Sequence, residues 1–360
     1  MIKKKIQNLF KYISYYLFFL INGKINKTIK PHRNKNIKIS KINLEKKFFY
    51  RVYCINSSRI YTDTINDTAV ILNKALVEGP SFQLRNNKNS SIKNNAVLFK
   101  GTPRFKKKIN GTILSLLTGG AGNNNYWHWM FDVLPRLFLA YKTIKKKDIN
   151  FFLFPNINYS FQNESINLLK IPPQKILSSK VNRHLEVKKL IVTEHPYVFK
   201  NKPEKEIQKI PIWIIKWLRN SFLKKRKGKK YLNKVYIDRS DSNYKYSRYI
   251  SNENEIKKLL IEKGFSIIRL SDHPFNEQIQ IFNNASYIIG SHGAGFANLV
   301  FCKPGIKVLE LRFNKIDHIF KNLSKSMKLK YNSILGQAKK TVSSQEKDVE
   351  ISLHELKKKI

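Results

Sequence analysis

Between residues 235 and 311 short apolar runs alternate with amphipathic stretches, and no other feature constrains the fold of this chain as strongly. Val235–Ile237, Phe265–Leu270, Tyr287–Ile289 and Lys307–Leu311 read as strands. Three segments read as helices between them. They are Glu253–Lys263, closed by Gly264; Phe275–Asn284, entered through Asp272 and Pro274; and a stretch near Ala294–Phe301. The strand runs are almost continuously apolar, as expected when both faces of a sheet are covered. This β-α-β-α-β-α-β order with short loops predicts a doubly wound parallel sheet.

Open sheets of that kind bind ligands outside the carboxyl ends of their strands, so the residues just after each strand matter most. Tyr287–Asn298 reads YIIGSHGAGFAN: a strand ends at Gly290, the chain turns on glycines, and a helix begins. Gly293 and Gly295 permit close backbone approach, and the first amides of the helix, around Ala294, form a seat for phosphate. His292 can donate to a phosphate oxygen, and Asn298 lies one turn further on. A tight strand–helix turn with a packed histidine explains the same residues more plainly. The spacing matches neither the dinucleotide fingerprint nor the P-loop. Arg239 follows the first strand on the same sheet edge, and arginine suits bidentate phosphate recognition. Arg248 lies in the next loop, with Asn252 and Glu253 at the following helix start. General surface basicity is the alternative for both arginines. Glu310 suits a sugar hydroxyl or a fork to a neighbouring cation.

The first half is less regular. Strand-like runs are Ala96–Phe99, Thr112–Leu117, Phe151–Phe154 and Leu190–Val192, with helical patterns at Tyr126–Tyr141 and Phe161–Leu169. Residues 24–50 read as a linker or irregular extension, and 82–95 and 104–110 as basic surface loops. Glu204–Lys224 is helical, is interrupted by Pro211, and ends in the basic run 224–230. Within Gly119–Arg136, His128 and Asp132 stand four apart and share a helix face. Trp127, Phe131, Leu134 and Phe138 form the apolar stripe, and Pro135 predicts a kink. A histidine beside a carboxylate suits general base catalysis; a capped aromatic core helix has the same pattern.

The chain has 360 residues, with 69 Lys+Arg against 24 Asp+Glu and a formal charge of +45. The excess is lysine, spread along the chain in company with Asn, Ile, Tyr and Phe. A compositional origin, an anionic membrane or acidic glycan partner, and nucleic acid are all open, and such a field attracts polyanions. A non-catalytic basic protein holding nucleic acid or acidic glycan is therefore the alternative to an enzyme. Two cysteines, Cys54 and Cys302, exclude a disulfide scaffold and a four-cysteine metal site. There is no DxD, HExxH or EF-hand pattern and no GxSxG elbow, so neither a metal site nor a hydrolase is expected. The apolar run Tyr12–Ile21 is about half of the roughly 20 residues that span a bilayer. It reads as an interfacial basic–aromatic helix or as an ordinary helix packed on the body.

Three segments, in this order and spacing, resemble the family 61 glycosyltransferases: Asn125-Tyr-Trp-His128 through Asp132 to Leu134-Pro-Arg136; Tyr236-Ile-Asp-Arg239 with Arg248, Asn252 and Glu253; and Gly290–Asn298 through Pro304-Gly305 to Glu310. The resemblance implies a GT-B-like α/β fold of two Rossmann-type domains facing a cleft. It also implies an inverting, metal-independent transferase with a nucleotide-sugar donor as substrate and no cofactor. On that reading the organisation is a basic extension with an N-terminal helix (1–50), an acceptor-side α/β domain (51–225), a donor-binding domain (226–335) and a basic C-terminal helix (336–360). Arg239, Arg248, His292, Gly293, Ala294 and Gly295 would contact the diphosphate, with Asn252, Glu253 and Asn298 beside it and Glu310 on the ribose. His128 or Asp132 would deprotonate the acceptor hydroxyl, with Asn125 and Trp127 on the acceptor side. The acceptor would be a glycan or lipid-linked sugar in capsule, lipopolysaccharide or other surface polysaccharide synthesis. The expected setting is a bacterial cytoplasm at the inner membrane face, with no specific nucleic acid partner.

Overall fold

A computed structural model describes residues 2–45, 48–64, 67–81, 91–118, 124–199, 202–223, 232–240, 249–313, 318–341 and 347–360. The fold is mixed α/β and separates into two compact units. One comprises Met1–Gln162 with Lys170–Ile207, the other Asn163–Leu169 with Gln208–Ile360.

The first unit is built on a sheet of nine strands among the described residues. They are β1 (Lys27–Ile29), β2 (Ile37–Glu45), β3 (Phe48–Thr64), β4 (Asp67–Leu72), β5 (Ala75–Val77), β6 (Lys107–Ser115), β7 (Phe151–Phe154), β8 (Ile176–Ser178) and β9 (His184–Thr193). Their order is β1-β5-β4-β3-β9-β6-β7-β8, with β2 also paired to β3. β9, β6, β7 and β8 are parallel neighbours, whereas β2, β4 and β9 all run antiparallel to β3. The sheet is thus mixed, not the wholly parallel one a Rossmann-type domain would have. Residues 24–50, expected as a linker, supply β1, β2 and the start of β3. Ile37 and Ile39 alternate with Lys38 and Ser40 there, a half-exposed strand pattern obscured by the Lys/Asn-rich composition. β6 likewise begins inside the expected loop 104–110. Val97–Lys100 is a short helix where a strand was expected. The Asn95 side-chain oxygen takes the Val97 amide at 3.2 Å and Gly101 turns away at φ 64°, so start and stop lie one turn apart.

The second unit carries β10 (Lys234–Asp238), β11 (Ser266–Arg269), β12 (Tyr287–Ser291), β13 (Lys307–Arg312) and β14 (Lys330–Leu335). They form an all-parallel sheet in the order β11-β10-β12-β13-β14. The expected strands and the helices at Glu253–Glu262 and Phe275–Asn284 are present, and the Ala294–Phe301 segment is a 3-10 helix. The core joins Tyr236, Ile289, Leu309 and Leu311 to Ile256 and Leu260 of the covering helix. Residues 336–360 were expected as one basic helix. They instead hold a two-stranded ribbon, β15 (Gln337–Thr341) with β16 (Lys347–Glu350), and a short helix Leu353–Lys359 capped by Ser352. The basic run 224–230 lies outside the described residues.

Both units have a topological switch point. β6 lies between β7 and β9, and β10 lies between β11 and β12, so the chain leaves each central strand towards opposite edges. The crevice at the carboxyl ends of such strand pairs is the ligand position of open sheets.

One buried histidine away from these crevices makes a stability prediction. Burial of His184 pulls its imidazole down to about 4, against the hydrogen bond from Nδ1 to the Arg104 carbonyl at 2.9 Å. The unfolded chain, with histidine near 6.5, therefore binds a proton between about pH 6.5 and 4 that the folded chain refuses. The folded state is favoured above that window and loses up to about 3 kcal/mol on acidification through it. Thermal melts from pH 7 to 4 should show this fall, and His184→Phe should flatten it. An unchanged slope in that variant would assign the acid sensitivity elsewhere.

Candidate active site

The first constellation lies beyond the carboxyl ends of β6 and β9. Asn125 caps the helix that follows β6, its side-chain oxygen accepting from the amides of Trp127 (2.9 Å) and His128 (3.4 Å). Asn125 therefore starts the helix that was expected to present it to an acceptor. Trp127 is buried, with its ring 4.3 Å from that of Phe131. From Trp129 to Val133 the helix widens to a π turn, with the Leu134 amide donating to the Trp129 carbonyl at 3.1 Å. Pro135 accounts for this. It has no N–H for the Phe131 carbonyl and its ring crowds that oxygen, so the preceding turn opens. The segment Gly119–Asn123 before the cap lies outside the described residues.

Asp132 is completely buried. Its Oδ2 is 2.6 Å from His128 Nδ1 and 3.6 Å from His195 Nε2, and its Oδ1 accepts from the Tyr197 hydroxyl. Burial alone would raise this carboxyl. The facing imidazoles of His128 and His195 outweigh it and hold the group well below the usual carboxylate range. The amides of Tyr197 (3.3 Å) and Val198 (3.1 Å) donate to His195 Nδ1. In the neutral ring the proton therefore sits on Nε2, towards Asp132. Burial lowers the His195 imidazole and favours that neutral form, although Asp132 pulls the other way. Tyr197 is pushed up by burial and by Asp132, so it remains a donor. Arg136 is buried, and its Nε donates to the Asp132 carbonyl at 2.9 Å and its Nη1 to Thr193 at 3.1 Å. Burial lowers its guanidinium to about 10, against the Asp132 carboxylate. It joins the helix to the end of β9.

This arrangement distinguishes His128 from Asp132. Both carboxylate oxygens have protein partners and no exposed surface. His128 keeps 16% of its side chain exposed, and its Nε2 has no hydrogen-bond partner among the described residues. A carboxylate on Nδ1 fixes that proton there and leaves the lone pair of the neutral ring on Nε2.

The second constellation lies at the carboxyl ends of β10 and β12. Arg239 follows β10 as the central residue of an Asx turn in which Asp238 Oδ1 accepts from the Ser240 amide at 2.8 Å. Its Nη1 donates to the His292 carbonyl. Arg239 and His292 therefore share one crevice, as the sequence predicted. The guanidinium lies over Gly293, where a Cβ would come within 2.6 Å of Cζ. Gly295 is similarly closed by Leu270, at 2.7 Å. Ala294 opens the 3-10 helix, and Arg219 braces its far end by donating to the carbonyls of Val300 (2.7 Å) and Cys302 (2.8 Å). His292 Nδ1 is 2.5 Å from Glu310 Oε1, and the Tyr331 hydroxyl donates to Glu310 Oε2. Glu310 is buried, and both its oxygens are engaged by protein. That differs from its expected position on a ribose.

Three other expected ligand contacts are engaged internally. The Asn252 amide donates to the Ile351 carbonyl (2.8 Å) while its oxygen takes the Ile351 amide (3.1 Å), which ties the C-terminal segment to the unit. Glu253 accepts from buried Tyr236 at 2.8 Å and lies 3.7 Å from Lys257. Asn298 is fully buried, and its Nδ2 donates to Gln278 at 3.3 Å. Arg248 lies outside the described residues. Among those residues no group of three or more His, Cys, Asp or Glu is arranged to hold a metal ion.

The two crevices share a design: a tyrosine hydroxyl holds one oxygen of a buried carboxylate, and the other oxygen holds a histidine Nδ1. His195, Tyr197 and Tyr331 were missed by sequence reasoning. Thr193-Glu-His-Pro-Tyr197 directly follows a recognised strand, and its position at that carboxyl end is the signal that could have found it.

The sequence model described as Glycosyltransferase 61 matches residues 126–309, just over half of the chain. The chain belongs to glycosyltransferase family 61. The matched segment runs from the helix of His128 and Asp132 to β13, next to Glu310, and so covers most of both constellations. Membership in family 61 points to a glycosyltransferase that binds a sugar donor and a glycan acceptor. No curated protein matches the chain.

Proposed function

We propose that this family 61 chain transfers a sugar from a nucleotide-diphosphate donor to a hydroxyl of a glycan or lipid-linked acceptor, with inversion and without a metal. The observation that carries the reading is the saturation of Asp132, which leaves His128 Nε2 as the basic atom of the first crevice. In this mechanism Nε2 takes the acceptor hydroxyl proton as that oxygen attacks the anomeric carbon. The bond from that carbon to the diphosphate oxygen breaks in line on the opposite side, which inverts the centre. The nucleoside diphosphate leaves with the electron pair, and Arg239 and the Glu310-supported His292 stabilise its charge. Asp132 and Glu310 act as positioning residues. The charge of +45 favours an acidic acceptor, as surface polysaccharides often are. A purely polyanion-binding protein would leave the His128–Asp132–Tyr197 arrangement without a task.

A panel of nucleotide sugars, incubated with saccharide acceptors in EDTA, tests the reading. The expected result is release of nucleoside diphosphate with formation of a glycoside whose first-formed anomer is inverted by NMR. A retained anomer, or turnover that requires a divalent ion, would overturn it.

A further inference from the structure

The helix Ile2–Asn22 has two unlike faces. Its inner face is held by the first unit. Phe18 meets Phe105 edge-on at 5.1 Å, and the Asn22 amide donates to the carbonyls of Thr102 (2.8 Å) and Arg104 (3.1 Å). Phe19 packs so closely on Gly101 that a Cβ there would meet its ring at 2.6 Å. The outer face repeats at helical spacing: Ile6, Leu9, Phe10, Ile13, Leu17 and Leu20, each between 48% and 74% exposed. A stripe of this size is uncommon on a soluble surface without a partner. Beside the helix, two more apolar side chains of the first unit are exposed. Phe105, which touches the helix, is 77% exposed, and Val181, 79% exposed, lines the same hollow as Phe105.

The charge near the helix indicates a partner for the stripe. Arg104, Lys107, Lys180 and Arg183 surround the hollow of Phe105 and Val181, which no acidic residue lines. The helix contains Lys3, Lys4, Lys5 and Lys11 and no acidic residue. Asn8 and Lys11 fall opposite the stripe, on the side of Phe18 and Asn22, so the exposed apolar surface is one-sided, the pattern of a helix lying in an interface plane. We propose that the outer stripe of this helix, with the exposed Phe105 and Val181 and the cations around them, seats the protein on an anionic lipid bilayer. The stripe from residue 6 to 20 is about 21 Å long at the helical rise. Its side chains enter the headgroup–acyl boundary while the cations meet lipid phosphates. This is independent of the donor and acceptor chemistry above.

Sedimentation of the full chain with vesicles tests it. The protein should pellet with vesicles of equal parts phosphatidylcholine and phosphatidylglycerol, far less with phosphatidylcholine alone, and less as salt rises. The triple variant Leu9→Glu/Phe10→Glu/Ile13→Glu should partition at least about tenfold more weakly. Its melting temperature should be unchanged, because the three side chains touch solvent. Lys107→Glu with Lys180→Glu should also weaken binding, by roughly fivefold per residue. A wild-type protein that stays in the supernatant, or a triple variant that pellets like wild type, would overturn the proposal. So would a wild-type dimer that the triple variant converts to monomer while neither binds vesicles, because the stripe would then be a self-association face.

Discussion

His128→Gln is expected to lower sugar transfer by about a hundredfold to ten-thousandfold, the usual contribution of a positioned base. Glutamine keeps the length and polarity of the side chain but cannot take a proton. Nucleotide-sugar affinity should stay within error of wild type, because the donor groups belong to the other constellation. Asp132→Asn should lose nearly as much transfer for a different reason. The amide cannot fix the proton on His128 Nδ1, and a buried hydrogen-bond set is left incomplete. Tyr197→Phe removes one partner of a carboxylate that His128 still holds, and should cost less than either. Transfer and titration calorimetry on the same preparations check the order. Wild-type rates in His128→Gln would remove the histidine from the mechanism.

Arg239→Ala is expected to weaken nucleoside diphosphate binding by about tenfold to a hundredfold, the worth of a charge-assisted hydrogen bond. Arg239→Lys should recover little, since an ammonium cannot present the paired donors of a guanidinium. Gly293→Ala should move affinity in the same direction by a smaller amount, because its Cβ would fall 2.6 Å from the Arg239 Cζ and displace the guanidinium. Calorimetric titration with a set of nucleoside diphosphates reads all three. Unchanged affinity in Arg239→Ala would place the diphosphate elsewhere.

The second unit was the more legible in sequence, for a physical reason. Its strands are buried on both faces, so Val235–Ile237 and Tyr287–Ile289 appear as uninterrupted apolar runs even in so basic a chain. In β2 of the first unit the exposed positions carry Lys38, Lys41 and Asn43, so that strand reads as linker. The shared sheet edge of Arg239 and His292 was legible because each directly follows a predicted parallel strand. The pairing of His128 with Asp132 was legible because it is local, four residues apart on one helix. Tyr197 reaches Asp132 across 65 positions and Tyr331 reaches Glu310 across 21, and such meetings are created by strand pairing alone. Glu310 was recognisable as a charge inside an apolar strand. Its partners were not, and the absence of a visible partner suggested a ligand where the protein supplies His292 and Tyr331.

For His128 Nε2 to act as the base, the proton of the neutral ring must sit on Nδ1, and nitrogen NMR of the imidazole observes this directly. In selectively labelled wild-type protein the neutral ring should carry its proton on Nδ1, with Nε2 bare, and Asp132→Asn should shift that tautomer towards Nε2–H. A wild-type His128 protonated on Nε2 in its neutral form would contradict the assignment of that atom as the base.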